Sequence, residues 1–517
     1  MIGRAAALGG LGAAYTVMQG LGLASTAFAE AAPSLPSSHG AGVSVLVLGA
    51  GIAGLVTAYE LQKAGYDVTV IEARDRVGGR AWTVRDGSRV SLLGEADQTA
   101  RLSKGLYFNA GPARIPSHHQ GVLSYVRALN VPIEVEVNAS RGALLQSDAA
   151  FGGAPIQQRQ AVNDLRGQLS ELLSKSLKRG SLDGDLTAED RDRLIAFLKS
   201  YGDLDAGSLY RGSERSGYAI YPGALDQKGV ARLPLPLSEL LRHTGLGGIL
   251  YEDNIVMQAT MFEPVGGMDR IPQAIAGALR RPVALNLETV AIRQTPTQAQ
   301  VTVRDRTTGK TRQLTADHLV ATLPLPVLTQ LDTDFSPPVK RAIAGARYDH
   351  ASKVAFEAPR FWEDQQIYGG LSFPGGDTGL VWYPSSGFNT PTGVLVAAYL
   401  TGGPAKALQA LPLSVQIAHA RAAVERLHPG HGVDLTAPIV IDWNRVPFNL
   451  GPWIHWDSEG ADPAAYHLLN QPAGRVLFSG AHLSQLPSWM EGGVAAARRT
   501  VSLVAERTRA DRLVSAR

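Results

Sequence analysis

The stretch "VLVLGAGIAGLVTAYELQKAGYDVTVIEARDRVGGR" (Val45–Arg80) decides how the rest of the chain is read. It opens on Val and Leu, an apolar run suited to a parallel strand covered on both faces. Gly49, Gly51 and Gly54 follow as Gly-x-Gly-x-x-Gly, with Ala53 inside the turn. "GIAGLVTAYELQKAG" then carries apolar residues at helical spacing up to Gly65, and "DVTVIEA" is a second strand that reaches Glu72. Strand, glycine turn, helix and strand make one βαβ unit in about 30 residues. The glycines permit a tight turn and bring a pyrophosphate close to the amides of a helix N-terminus. Glu72 stands where a carboxylate accepts from both hydroxyls of an adenosine ribose. The pattern predicts a dinucleotide held by backbone.

The chain has 517 residues, enough for about three domains at ~150 residues each. Apolar residues make up 45% and charged residues 18%, an ordinary globular balance. A formal charge of +3 is too small on this length to argue for a nucleic-acid partner, and no basic stripe interleaves with aromatics. Cysteine is absent, which removes disulfides, thiolate nucleophiles, Cys-ligated zinc, iron–sulfur clusters and cofactor attachment through sulfur. No His/Asp/Glu spacing suggests a metal site.

The first 40 residues differ from the rest. Arg4 is followed by a charge-free stretch up to Glu30, and Ala27-Phe28-Ala29 fits a small-x-small cleavage site ahead of a Pro/Ser linker. This predicts a secretory signal and a periplasmic or secreted protein. The alternative is a retained N-terminal helix on a cytoplasmic protein. Membrane association is confined to this segment, since no later one is long and apolar enough to span.

From Gln120 to about Leu250 the pattern is helical. In "LTAEDRDRLIAFLKSYG", Thr187 is the expected N-cap, with Asp190 three residues on and Gly202 as the stop. Pro and Gly then cluster between Tyr221 and Gly248, as in a loop-rich helical insertion. "TVAIRQTPTQAQVTVRDRTTGKTRQLTADHLVAT" alternates apolar and polar residues and reads as a β-meander. Strand-like segments run from Lys353 to Leu400, and "SVQIAHARAAVERLH" reads as a helix. "GRVLFSGAHL" is another buried strand, and "EGGVAAARRTVSLVAERTRA" a closing helix. Nucleotide-type βα units at both ends imply a discontinuous domain over 41–117, 264–330 and 441–517. A second domain over 118–263 and 331–440 is inserted into it, behind the leader 1–40.

The identity of the dinucleotide turns on "ARDRVGGR", where arginines and exposed amides reach the phosphates and far end of an extended cofactor. This stretch resembles the Glu-x-x-x-x-x-Gly-Gly-Arg extension of flavin-dependent amine oxidases. "FNAGPARIPSHHQ", "FEPVGGMDRIPQAI", "SKVAFEAPRFW" and "FSGAHLSQLPSWMEGGV" occur in that family's order over most of Ala41–Val494. Together they are similar to the bacterial L-amino-acid oxidase branch. The resemblance implies an α/β fold: a glutathione-reductase-like FAD domain on a Rossmann-type parallel sheet, and an inserted α+β substrate domain with a helical subdomain. It implies non-covalent FAD held at Gly49, Gly51, Ala53, Gly54, Glu72, Ala73, Arg74, Gly79 and Arg80. Gly111, Pro112, Ala113 and Arg114 would add contacts, as would Val290 beside adenine and Gly480, Ala481, Trp489, Met490 and Glu491 near the C-terminus. Gly266, Gly267 and Met268 would pass close to the isoalloxazine.

The same resemblance assigns catalytic residues. Arg114 would pair with a substrate α-carboxylate, as a planar fork in a dry cavity suits; the bland alternative is an arginine capping carbonyls. Lys353 would hold a water near the flavin and aid the reaction with oxygen. Tyr383 would hydrogen-bond the carboxylate, with Trp382 beside it competing for the register, and Trp489 would wall the site. His118 and His119 follow the Arg114 loop and are either tuning or structural groups. One position departs from the pattern: relatives commonly read Gly-Glu-His where this chain has Gly480-Ala481-His482, and Ala481 cannot accept a hydrogen bond from the flavin chain. The implied reaction takes an L-amino acid and oxygen to a 2-oxo acid, ammonia and hydrogen peroxide, in a homodimer. Monoamine or polyamine oxidase, amino-acid 2-monooxygenase, a flavin-poor binding protein and an NAD-dependent dehydrogenase are the competing readings.

Overall fold

The computed structural model describes residues 33–456 and 462–515; the segment read as a signal or retained helix falls on 1–32 and lies outside the described residues. A four-stranded parallel sheet is its first layer, ordered Asp67–Ile71, Ser44–Leu48, His318–Ala321 and Val476–Phe478. The Val/Leu run is apolar throughout because both faces of its strand are covered. Val45 and Val47 enter one core with the helices Ile52–Lys63 and Met490–Ser515. Leu46 and Leu48 enter a second core, under the meander Leu287–Gln294, Ala299–Asp305 and Thr311–Ala316. The period of two along a strand divides the four residues between these cores.

A five-stranded antiparallel sheet forms the other half, ordered Gly370–Ser372, Leu380–Tyr383, Thr392–Thr401, Ala351–Pro359 and Thr436–Asp442. One face packs under the helices Gly402–Gln409 and Leu413–Leu427 and carries Val354, Phe356, Val381 and Tyr383. The other face carries Ala351, Ala355 and Trp382 and packs against Trp82, Val84 and Phe108. A small sheet of Ile115–Pro116, Met261–Pro264 and Ile133–Glu136 lies between the halves in sequence. The helical insertion contains Gln158–Lys178 and Ala188–Gly202, the latter capped by Thr187 Oγ1, which accepts from Asp190 N at 3.1 Å.

Packing moves three domain boundaries. Helix Gln120–Ala128, assigned from sequence to the inserted domain, buries Val122, Leu123, Tyr125 and Val126 in the first core of the parallel half. Helix Pro337–Ala344 buries Val339, Ala342 and Ile343 in the second core of that half. The boundary at 441 cuts the strand Thr436–Asp442, which belongs wholly to the antiparallel sheet. In each case apolar side chains at the segment ends chose the neighbour, and chain order did not. Among the described residues no helix is long and apolar enough to cross a membrane, and no group of three His, Asp or Glu is placed to hold a metal ion.

Candidate active site

A cavity of about 550 Å³ runs from the C-terminal ends of the parallel strands to the aromatic face of the antiparallel sheet. The fingerprint glycines do three different jobs there. Gly49 turns the chain at φ +96°, where a Cβ would stand 2.8 Å from Thr322 Oγ1. Gly51 opens on free space within the cavity wall. Gly54 packs helix on turn, since a Cβ would meet the Gly49 carbonyl at 2.0 Å, and it does not reach the cavity. Helix Ile52–Lys63 starts with neither a side-chain cap nor an acid in its first turn, leaving an electropositive terminus suited to an anion. Ala53 lines the cavity at that terminus.

Glu72 is buried at one end. Its Oε2 accepts from Ala50 N at 2.9 Å, and its Oε1 from Arg74 N at 3.0 Å and Arg74 Nη1 at 3.3 Å. Ala73 and Val290 line the same end. Arg74 also donates to Pro447 O at 2.6 Å and to Asn449 Oδ1, and Arg80 donates to Pro452 O. Burial pushes the Arg80 guanidinium below its ordinary range, so a buried cation stands on the cavity wall. Gly79, Gly111, Pro112, Gly480, Ala481 and Met490 complete the wall.

At the far end Lys353 is buried, and its Nζ donates to Asn109 O at 2.8 Å and Gly111 O at 2.7 Å. It lies 5.4 Å from the Trp382 ring and 5.1 Å from that of Tyr399, its cross-strand partner. Burial, reinforced by the charge of Arg114, pushes the ammonium down to about 7. Trp443, Trp453, Trp489 and Tyr399 line this end with flat apolar faces.

Arg114 stands one side chain behind the wall, 4.6 Å from Trp382 and 6.0 Å from Trp489. Its Nη1 donates to Asn138 Oδ1 at 2.6 Å and its Nη2 to Tyr251 OH at 2.8 Å. Both acceptors are neutral. Trp382 Nε1 donates to Glu136 Oε1 at 3.1 Å, and burial raises that carboxyl to about 7 against the pull of Arg114.

Several assigned residues stand elsewhere. Tyr383 points to the opposite sheet face from Trp382, as alternation in a strand requires; its hydroxyl lies 2.8 Å from Ser372 Oγ and 2.7 Å from His428 Nε2. It does not reach the cavity, and Tyr399 and Tyr251 are the tyrosines near Lys353 and Arg114. Glu491 points away from the cavity and accepts from Gly121 N and Val122 N, both at 2.8 Å, capping helix Gln120–Ala128. Ala113 packs on the aromatic core beside Trp82. Gly267 abuts Thr83, where a Cβ would stand at 2.4 Å, and Met268 is core; with Gly266, they lie off the cavity wall. His119 is buried edge-on against Trp489, ring centroids 4.9 Å apart, and burial pushes it down to about 3, so it stays neutral. His118 packs on His119.

Asn138, Tyr251, Tyr399, Trp443 and Trp453 were not singled out in the sequence. The cross-strand register of Lys353 with Tyr399 was the one readable signal, once both segments are strands. The remaining contacts come from loops without periodicity.

The wall fits an extended dinucleotide. It offers a ribose carboxylate, a bare helix terminus, buried guanidinium groups and a flat aromatic end. Ala481 supplies no acceptor, but the neighbouring His482 lines the same wall with its buried Nε2 unpartnered among the described residues.

Residues 52–505 match the family described as flavin containing amine oxidoreductase. The chain is 27% identical over 470 residues to a putative L-amino-acid oxidase of Bacillus subtilis (strain 168), covering 87% of this chain and 92% of that one. It is 28% identical over 493 residues to the flavin-dependent L-tryptophan oxidase of Lentzea aerocolonigenes, covering 89% and 97%. Among solved structures, a putrescine oxidase variant superposes with a TM-score of 0.60 at 18% identity, over 92% of this chain and 100% of the other. Cyclohexylamine oxidase from Brevibacterium oxydans IH-35A gives 0.59 at 18%, over 90% and 99%; at such identity both attest the fold. With the family matched over most of the chain, and a cavity built for a dinucleotide beneath it, the protein belongs to the flavin-containing amine oxidoreductases.

Proposed function

We propose that the protein oxidises L-amino acids with oxygen, yielding 2-oxo acids, ammonia and hydrogen peroxide, on non-covalently bound FAD. The observation that carries this reading is Arg114. It is a buried cation whose two hydrogen-bond acceptors, Asn138 and Tyr251, are neutral, and burial holds the neighbouring Glu136 carboxyl up at about 7, so an α-carboxylate can take its charge. Relatives named for L-amino-acid and L-tryptophan oxidation support the same substrate class.

FAD supplies the hydride acceptor and the route of electrons to oxygen. Glu72 would take the ribose, the terminus of helix Ile52–Lys63 the diphosphate, and the aromatic end the ring system. Arg114 fixes the carboxylate and so aims the Cα–H bond. Trp382 and Trp489 frame the guanidinium and keep water from it. Lys353 holds a proton at Nζ beside the aromatic end, close to where charge develops. The imino product is hydrolysed by water, which needs no protein nucleophile.

Peroxide release from FAD-loaded protein tests this against L-amino acids, their D-forms and the matching decarboxylated amines. Turnover of the L-forms alone is expected. Equal turnover of the amines would make the protein an amine oxidase, a reading favoured by Asn138 and Tyr251 already occupying both terminal nitrogens of Arg114. Release of amide and carbon dioxide in place of peroxide would mark a 2-monooxygenase. Export and a homodimer complete the proposal, to be checked by the N-terminus of the mature chain and by light scattering.

A further inference from the structure

We propose that residues 447–453 form a strap closed over the cofactor, and that Arg74 and Arg80 are positioning residues that clasp it shut. Six of these seven residues line the cavity: Pro447, Phe448, Asn449, Leu450, Pro452 and Trp453. Pro447, Phe448 and Leu450 are half-buried, so this wall of the cavity is not locked into a core.

The arginines that the sequence aims at phosphate spend donors on this strap. Arg74 Nη2 donates to Pro447 O at 2.6 Å and to Asn449 Oδ1, while Arg80 Nη1 donates to Pro452 O. Two guanidinium groups approach the Phe448 ring, Arg74 at 5.6 Å and Arg306 at 4.9 Å. Arg74 also holds Glu72, so the acid at the ribose end and the strap share one clasp.

The strap backbone is strained. Phe448 and Leu450 sit at φ +62° and +55°, a region that side-chain-bearing residues occupy only when their surroundings force it. The forcing contacts are visible: Asn449 N to Val446 O at 3.1 Å, Gly451 N to Trp443 O at 3.0 Å, and Asp349 N to Trp453 O at 2.9 Å. Strain against clasp gives two arrangements, closed while the arginines hold and open when they release. Entry and exit of the dinucleotide both pass through the open one.

The prediction is kinetic. A gate multiplies uptake and release by the same opening equilibrium and leaves affinity nearly unchanged, whereas a plain contact alters release alone. Asn449→Ala removes one charge-assisted hydrogen bond from the clasp, so both rates should rise by roughly tenfold. Uptake by apoprotein is followed as flavin fluorescence on rapid mixing with FAD, and release as flavin appearing in ultrafiltrates of the holoprotein. Arg80→Lys keeps the buried charge but loses the fork; it should shift both rates the same way, and it serves if Asn449→Ala does not fold. Faster release with unchanged uptake, or no change in either rate, would overturn the strap. The inference rests on the flavin reading of the cavity: wild-type protein that takes up no FAD overturns that reading as well, an outcome distinct from uptake at unaltered rates.

Discussion

Arg114 and Lys353 lie within reach of the same indole, Trp382, yet face different tasks. Breaking a buried charge-assisted pair costs about 3–5 kcal/mol. Arg114→Ala should therefore raise KM for L-amino acids by about two to three orders of magnitude. KM for the decarboxylated amines should barely move, since they present nothing to the fork; an unchanged KM for both classes would remove Arg114 from substrate binding. Lys353 titrates at about 7 because burial and Arg114 disfavour its ammonium form. Below that pH it carries the proton that stabilises developing negative charge; above it the amine is neutral. Reoxidation of the reduced enzyme by oxygen, read by stopped-flow absorbance, should slow as pH rises through about 7. Lys353→Met should be slow throughout, without that phase. A wild-type profile in the variant would leave Lys353 a packing residue.

At the level of elements, the pairing of Ile133–Glu136 with Met261–Pro264 sets Glu134 opposite Glu263, with Glu136 on the same face. Burial first, then the charges of Glu136 and Glu134, raises Glu263 to about 8. Its folded-state affinity for protons thus exceeds that of the unfolded chain, whose glutamates titrate near 4.5. The stability it contributes is full below that pH and is lost as pH climbs towards 8. Glu263→Gln should match wild type in Tm at the acid end and exceed it above pH about 8. A constant difference across the range would show that the carboxyl titrates alike in the folded and unfolded chain. Strand pairs also show why the candidate site was only partly legible. The βαβ unit reads directly because period, turn glycines and Glu72 all lie within one local stretch. Trp382 and Tyr383 are adjacent in a strand apolar on both faces, so no local signal says which one faces Arg114. Glu491 belongs to a glycine-rich C-terminal motif but serves a helix that begins at Gln120, a partnership only folding creates. Asn138 and Tyr251 likewise reach Arg114 from segments without periodicity.

Across the whole molecule, the cavity is the place where the two halves meet a common ligand. Gly49 and Glu72 come from the parallel sheet, Lys353 and Tyr399 from the antiparallel one. Two of the large cores lie in the parallel half and one in the antiparallel half, while the fourth joins Trp82 and Phe108 to Trp382 and Ile439. A flavin spanning the cavity adds a second joint. Ligand bound to the folded state stabilises it by RT ln(1 + [L]/Kd), about 1.4 kcal/mol for each tenfold excess of free FAD over Kd. Because FAD would touch both halves, calorimetry of the holoprotein should give one transition that climbs with FAD concentration. The apoprotein should melt lower and in two steps, since each half keeps cores of its own. If the apoprotein instead unfolds in a single transition, below the holoprotein's temperature, the Trp82 core alone joins the halves, and the flavin stabilises the fold without being what holds them together.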